Sequence, residues 1–178
     1  MSYDLETFCK DCRESLKANP GEAGQEKVLR NVEKLTGDAD FCATYLGDDA
    51  PPGIRTIYRD PEADFCVLVH IYQTGKSGPP HDHGTSWAVY GQTAEYTDMT
   101  KWKRTDGGTG EGHAEVEAET TFRLEKGMAG KFGPGEIHSV KFPDGARFIR
   151  VTGTDLDSIP TLRFDVQSQT AAVGSRLK

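Results

Sequence analysis

His81 and His83 stand one residue apart at the end of Gly75-Lys76-Ser77-Gly78-Pro79-Pro80-His81-Asp82-His83, and His138 closes a second turn-rich stretch, Phe132-Gly133-Pro134-Gly135-Glu136-Ile137-His138. On an extended strand, side chains at i and i+2 leave the same face about 7 Å apart, so the first two imidazoles can share one ion. His138 opens a run in which Val140 and Phe142 alternate with polar residues, which offers a third imidazole from a strand. Three neutral nitrogens on rigid strands make a divalent-metal site with positions left open for substrate. Such a set leaves the full dipositive charge on the metal, and that favours an anionic ligand: a thiolate, an enolate or a carboxylate. Asp82 points to the face opposite its neighbours, while Glu95 and Glu136 are carboxylates that a local bend can bring in.

The elements that must position these residues change character along the chain. Residues 2–18 and 23–36 have helical spacing, the second through Val28, Leu29, Val32 and Leu35, with Pro20-Gly21 between them and Gly37 as a stop. From Ile54 onward the pattern becomes short alternating runs punctuated by Gly and Pro, at 54–58, 65–72, 87–90, 94–102, 120–124, 129–132, 138–142, 147–152 and 161–166. Strands at this spacing predict a sandwich or barrel and not a parallel sheet with crossover helices. The expected organisation is one domain over 1–178: a helical N-terminal layer at 1–50, a β-barrel at 54–166 and a tail at 167–178, mobile at its end.

At 178 residues and 35% hydrophobic, the chain is long enough to bury a sizeable core. Its net charge of −7, with no Lys/Arg stripe, argues against nucleic acid and anionic membrane as partners and for a small ligand. No apolar stretch is long enough for a transmembrane helix and Met1-Ser2-Tyr3-Asp4 carries no signal-peptide pattern, so a cytoplasmic protein is expected. Cys9, Cys12, Cys42 and Cys66 are too few and scattered for a disulfide framework. Cys9 and Cys12 spell C-x-x-C, but they fall on one apolar helix face with Leu5, Phe8 and Leu16, which predicts core packing. The glycine-rich Thr105–Gly112 segment lacks the Gly-Lys-Ser/Thr ending of a phosphate loop and reads as a hairpin excursion carrying an exposed His113.

The two histidine stretches resemble the paired signatures of the cupin superfamily, small double-stranded β-helix (jelly-roll-like) barrels that hold a metal. Gly75 precedes His81, and Gly127 and Gly135 precede His138, as in that pattern. The expected Pro is displaced to Pro134, and Phe142 stands where an Asn is expected. The Glu that most cupins add after the second His is absent, with Trp87 and Ala88 in its place. Within the superfamily the chain is most similar to the cysteine and 3-mercaptopropionate (thiol) dioxygenases. The likeness runs through Ile57-Tyr58-Arg59-Asp60-Pro61, Asp64-Phe65, Pro80-His81-Asp82-His83, Trp87 and Ala94-Glu95-Tyr96, over roughly residues 55–153.

That resemblance implies a mononuclear non-heme iron(II) dioxygenase that oxidises a small carboxylated thiol to its sulfinate with O₂. Iron(II) would be held by His81, His83 and His138, a donor set that also accepts nickel, manganese or zinc. It implies that Arg59 pairs with the substrate carboxylate through its planar fork, although a surface arginine beside Asp60 is an equally open reading. Tyr58, Trp87 and His70 would shape the pocket. His70 alternates with Cys66, Leu68 and Tyr72, as a donor inside the barrel or as an outward or otherwise satisfied ring. The family's Ser, His and Tyr set, carried on one strand, is replaced by Phe148, Arg150 and Thr152. An inward Arg150 needs an anion, such as a second carboxylate, whereas a register slip would put it in solvent. Ala88 replaces the cysteine that forms a cross-link in some members, so no such cofactor is expected. The alternatives are another metal-dependent cupin chemistry, diketone cleavage or elimination, and a non-catalytic cupin that binds a small molecule.

Overall fold

Asp4 starts the first helix, α1 (Leu5–Ala18), by accepting the Thr7 N–H at 2.9 Å. The computed structural model describes residues 2–174, so the end of the expected tail lies outside the described residues. Helix α2 (Glu22–Thr36) follows Pro20-Gly21 and stops at Gly37. A third helix, α3 (Ala39–Leu46), was not expected, because its single two-turn span is too short to show a period; Asp38 caps it through Phe41 N–H at 2.8 Å. Among the described residues no helix is long and apolar enough to cross a membrane.

The nine expected strands all form. They are β1 (Gly53–Arg59), β2 (Cys66–Ile71), β4 (Ala88–Ala94), β5 (Thr97–Arg104), β7 (Val116–Leu124), β8 (Ala129–Phe132), β9 (Ile137–Phe142), β10 (Arg147–Thr152) and β11 (Leu162–Asp165). Three short strands join them: β3 (Lys76–Ser77), β6 (Gly112–His113) and β12 (Thr170–Val173). Residues 170–173 therefore belong to a sheet and not to a tail; Ala171 is buried and β12 pairs with both β11 and β6. The glycine-rich excursion is held by Arg104, whose guanidinium binds Asp106 and the carbonyls of Gly110 and His113.

The pairing is nested. Strand β2 pairs with β10, β3 with β9, β4 with β8 and β5 with β7, all antiparallel, so the chain runs as one long hairpin. Lateral pairs β10·β4 and β9·β5 wind that hairpin on itself and split it into two sheets, β1-β2-β10-β4-β8 and β3-β9-β5-β7. This is the double-stranded β-helix, and the protein is mainly β behind a helical layer. Period-2 alternation divides the first sheet. Val67, Val69, Ile71, Val89, Ile149 and Val151 pack against the helices, and Ala88, Tyr90 and Phe148 face Met99, Leu124 and Phe142 across the barrel. Gly75 has no room for a side chain, since a Cβ would stand 2.8 Å from the Phe142 carbonyl, and Gly135 turns the chain at φ +72° just ahead of β9.

Candidate metal centre

His81 and His138 meet across the hairpin. Each backbone N–H donates to the other's carbonyl at 2.9 Å, which resumes the β3·β9 pairing beyond Pro79-Pro80. His83 does not lie on a regular strand as expected. Prolines 79 and 80 cannot donate to a ladder, so the segment is extended but tied at single bridges. Asp82, pointing away from the cluster as its parity requires, fixes the segment instead. Its carboxylate accepts the N–H groups of Gly84 at 2.9 Å and Leu162 at 2.8 Å, and so ties the motif to β11.

The three rings converge inside the barrel, with centroids 4.5 Å (His81–His138), 4.8 Å (His83–His138) and 5.3 Å (His81–His83) apart. One nitrogen from each lies within 4.8 Å of the others. His81 Nδ1 stands 3.1 Å from the Pro79 carbonyl and His138 Nδ1 3.4 Å from that of Glu136. A carbonyl accepts only from N–H, so these contacts leave the lone pairs on Nε2. Phe132 stacks on His138 at 3.9 Å and holds the ring plane. Burial drives the pKa of His81 down and those of His83 and His138 well down, with further lowering from neighbouring imidazoles and from Arg150. The rings are therefore neutral near pH 7, the form that ligates metal. His83 Nδ1 is buried without a hydrogen-bond partner. This donor set fits a divalent first-row metal.

Neither Glu95 nor Glu136 joins it. Glu95 is exposed at the β4–β5 turn at φ +56°, and Glu136 accepts from the Gly133 N–H and faces Lys101 at 3.6 Å. Arg150 does face the barrel. It lies opposite Leu68 on β2 and Tyr90 on β4, its Nε is buried without a partner, and no carboxylate among the described residues forms an ion pair with it. His70 faces the same interior, buried, stacked on Phe148 at 4.6 Å and 3.3 Å from the Tyr72 hydroxyl through Nδ1.

Three expected pocket residues lie elsewhere. A bulge between Thr56 and Tyr58 reverses the parity of β1, so Tyr58 faces the helices, where its hydroxyl accepts from Arg13 and donates to Asp60. Arg59 sits at the sheet edge, its side chain 57% exposed, and its guanidinium pairs with Asp155. The partner of Asp60 is Arg13, at 2.7 Å. Trp87 shares the parity of Val89 and packs against the helix-side core and over Gly153.

The residue missed from sequence is Tyr90. It is buried, and its hydroxyl lies 3.2 Å from His138 Nε2 and 3.4 Å from His83 Nε2. It lies directly opposite Arg150 on β10. The signal was present in the alternation Ala88, Tyr90, Gln92, which puts Tyr90 on the barrel face of β4.

No protein-family model matches the sequence, and no curated protein matches it. Among solved structures, the cupin domain of Schizosaccharomyces pombe Cnp3 is similar at 15% identity and a TM-score of 0.41, over 59% of this chain and 62% of that one. KdgF from Halomonas sp. is similar at 17% and 0.41, over 63% and 91%. An oxalate oxidase bound to the substrate analogue glycolate gives 13% and 0.41, over 58% and 52%. At these values the likeness carries no argument about chemistry. The double-stranded β-helix rests on the nested strand order, and within it His81, His83 and His138 form a site able to hold a metal ion.

Proposed function

We propose that this barrel is a mononuclear iron(II) dioxygenase that converts a small carboxylated thiol into its sulfinate. The observation that carries the reading is the pairing of three converging, neutral imidazoles, two of them buried, with an inward arginine that has no carboxylate partner among the described residues. His81, His83 and His138 would hold iron(II), which would supply the redox chemistry that joins a thiolate to O₂. The reaction balances without a co-reductant: the thiol RSH and O₂ give RSO₂H, with both oxygen atoms on sulfur.

The chain's own part is to bind and orient. Arg150 takes the place first assigned to Arg59, and its guanidinium receives the substrate carboxylate from the floor of the first sheet. Phe142 and Phe148 supply an apolar wall that excludes water beside it. The cation and the imidazoles sit on opposing walls of one barrel, so a short acid bearing a thiol can reach both.

A second reading, another metal-dependent chemistry such as diketone cleavage, is favoured by one observation. Phe148 and Thr152 flank Arg150 where the family's Ser, His and Tyr set is expected, so no imidazole or phenol comes from β10. Oxygen uptake by iron(II)-loaded protein with a panel of carboxylated thiols tests the first reading. Thiol-dependent uptake with sulfinate as product is expected. Uptake with diketones alone would replace that reading with the second.

A further inference from the structure

Among the described residues, Tyr90 is the one side-chain oxygen whose contacts reach two of the three imidazoles. Two donors bound to one first-row metal at about 2.1 Å, at angles between square and tetrahedral, stand roughly 3.0–3.4 Å apart. The Tyr90 hydroxyl is 3.2 Å from His138 Nε2 and 3.4 Å from His83 Nε2, which is the separation of neighbouring ligands around a shared ion. The side chain is fixed there. Its ring meets Phe132 edge-on at 6.0 Å, and its strand position is set opposite Arg150.

We infer that Tyr90 supplies a fourth protein ligand, making the centre three imidazoles and one phenol oxygen. This rests on the three-histidine metal site proposed above and fills the position left empty by the missing carboxylate. Coordination would form a metal–oxygen bond and break the phenol O–H, releasing one proton to solvent. The Arg150 guanidinium, carried on the cross-strand neighbour of Tyr90, would stabilise the negative charge left on that oxygen. Arg150 would then serve the ligand and the incoming anion from one place.

The test is spectroscopic and needs no turnover. Wild-type protein loaded with iron(III) should show a phenolate-to-iron charge-transfer band in the visible, with phenolate modes in resonance Raman. Tyr90→Phe should lose both and bind zinc about 10–100-fold more weakly, while Tyr72→Phe, whose hydroxyl contacts His70, should keep them. Iron-loaded wild type without the band, or a Tyr90→Phe variant with wild-type spectrum and zinc affinity, would overturn the inference while leaving the three-histidine site standing. Failure of wild type to bind either metal would overturn both. If Tyr90→Phe does not fold, the wild-type Raman spectrum and the Tyr72→Phe control still decide.

Discussion

Replacing His138 by alanine separates two roles that the structure assigns to one ring. As a ligand it is one of three. Four-ligand zinc sites gain about 10–16 kcal/mol, or roughly 3–4 kcal/mol per donor, so losing one imidazole should weaken metal binding by about two to three orders of magnitude. His81→Ala and His83→Ala should match that loss. As packing, the three differ. His138 is 0% exposed and stacked on Phe132, and His83 is 3% exposed, whereas His81 is only half-buried. A cavity at His138 or His83 should cost about 2–4 kcal/mol, and His81→Ala roughly 1 kcal/mol. The fold should survive each, because a domain of this kind has about 5–15 kcal/mol in hand. The assay is competition with a chromophoric chelator, together with melting curves with and without metal. At a free concentration a hundredfold above Kd, metal should stabilise the wild type by about 2.7 kcal/mol, which raises Tm by about 5–10 °C in a chain of this size. That increment should vanish in all three variants at the same concentration, while metal-free melting ranks His81→Ala above the other two. Wild-type affinity in His138→Ala would remove that residue from the ligand set.

Glu95→Gln and Glu136→Gln should leave metal affinity unchanged by the same chelator competition, since neither carboxylate reaches the rings. Steady-state kinetics should separate the two arginines: Arg150→Ala should weaken binding of a carboxylated substrate by about 1.5–3 kcal/mol, with Arg150→Lys intermediate, and Arg59→Ala should stay within about threefold. A large effect at Arg59 alone would return the carboxylate to the sheet edge. Asp60 is the stability test. Burial pushes its carboxyl up, but Arg13, the N–H groups of Ala63 and Glu62, and Tyr58 outweigh that and hold it below the usual carboxylate range. A depressed carboxyl stabilises the fold above the unfolded pKa, about 3.9, and the contribution is lost as pH falls through the folded value. Asp60→Asn should therefore cost about 2 kcal/mol in urea melts near neutral pH, a cost that shrinks as pH falls below about 4 and through the lowered folded value, where wild-type Asp60 is itself neutral.

The features that could be read from the sequence are those governed by short-range rules. Alternation located nine strands, because a half-buried strand must repeat every second residue, and the Gly–His spacings located the three imidazoles. The misplaced residues, Tyr58, Arg59 and Trp87, share a different cause. Their faces depend on parity counted from an interior reference, and a likeness in motif order carries no parity. The Thr56–Tyr58 bulge inserts one residue into β1, which sends Tyr58 to Arg13 and Asp60; Arg59, opposite Cys66, misses the site because β1 is the edge strand, where it pairs with Asp155. No residue type announces that bulge. The parity of β4 was countable, and it puts Trp87 outside and Tyr90 inside once Val89 is placed against the helices.

One barrel wall thus carries out two separate tasks. The faces of β2, β4 and β10 that meet the helices are mostly Val, Ile and Gly, with Thr93 and Arg147 only at the strand ends, so they can be packed largely without regard to chemistry. The opposite faces of the same strands hold His70, Tyr90 and Arg150, whose polar atoms would be costly in a dry interior without partners. The Arg150 Nε is buried there with no carboxylate partner among the described residues, an arrangement that favours an incoming anion. Under the proposed function an anion, from substrate or from Tyr90 itself, completes the arrangement. That requirement, more than the three imidazoles alone, distinguishes a site built to bind an anion beside a metal from a barrel that merely contains histidines.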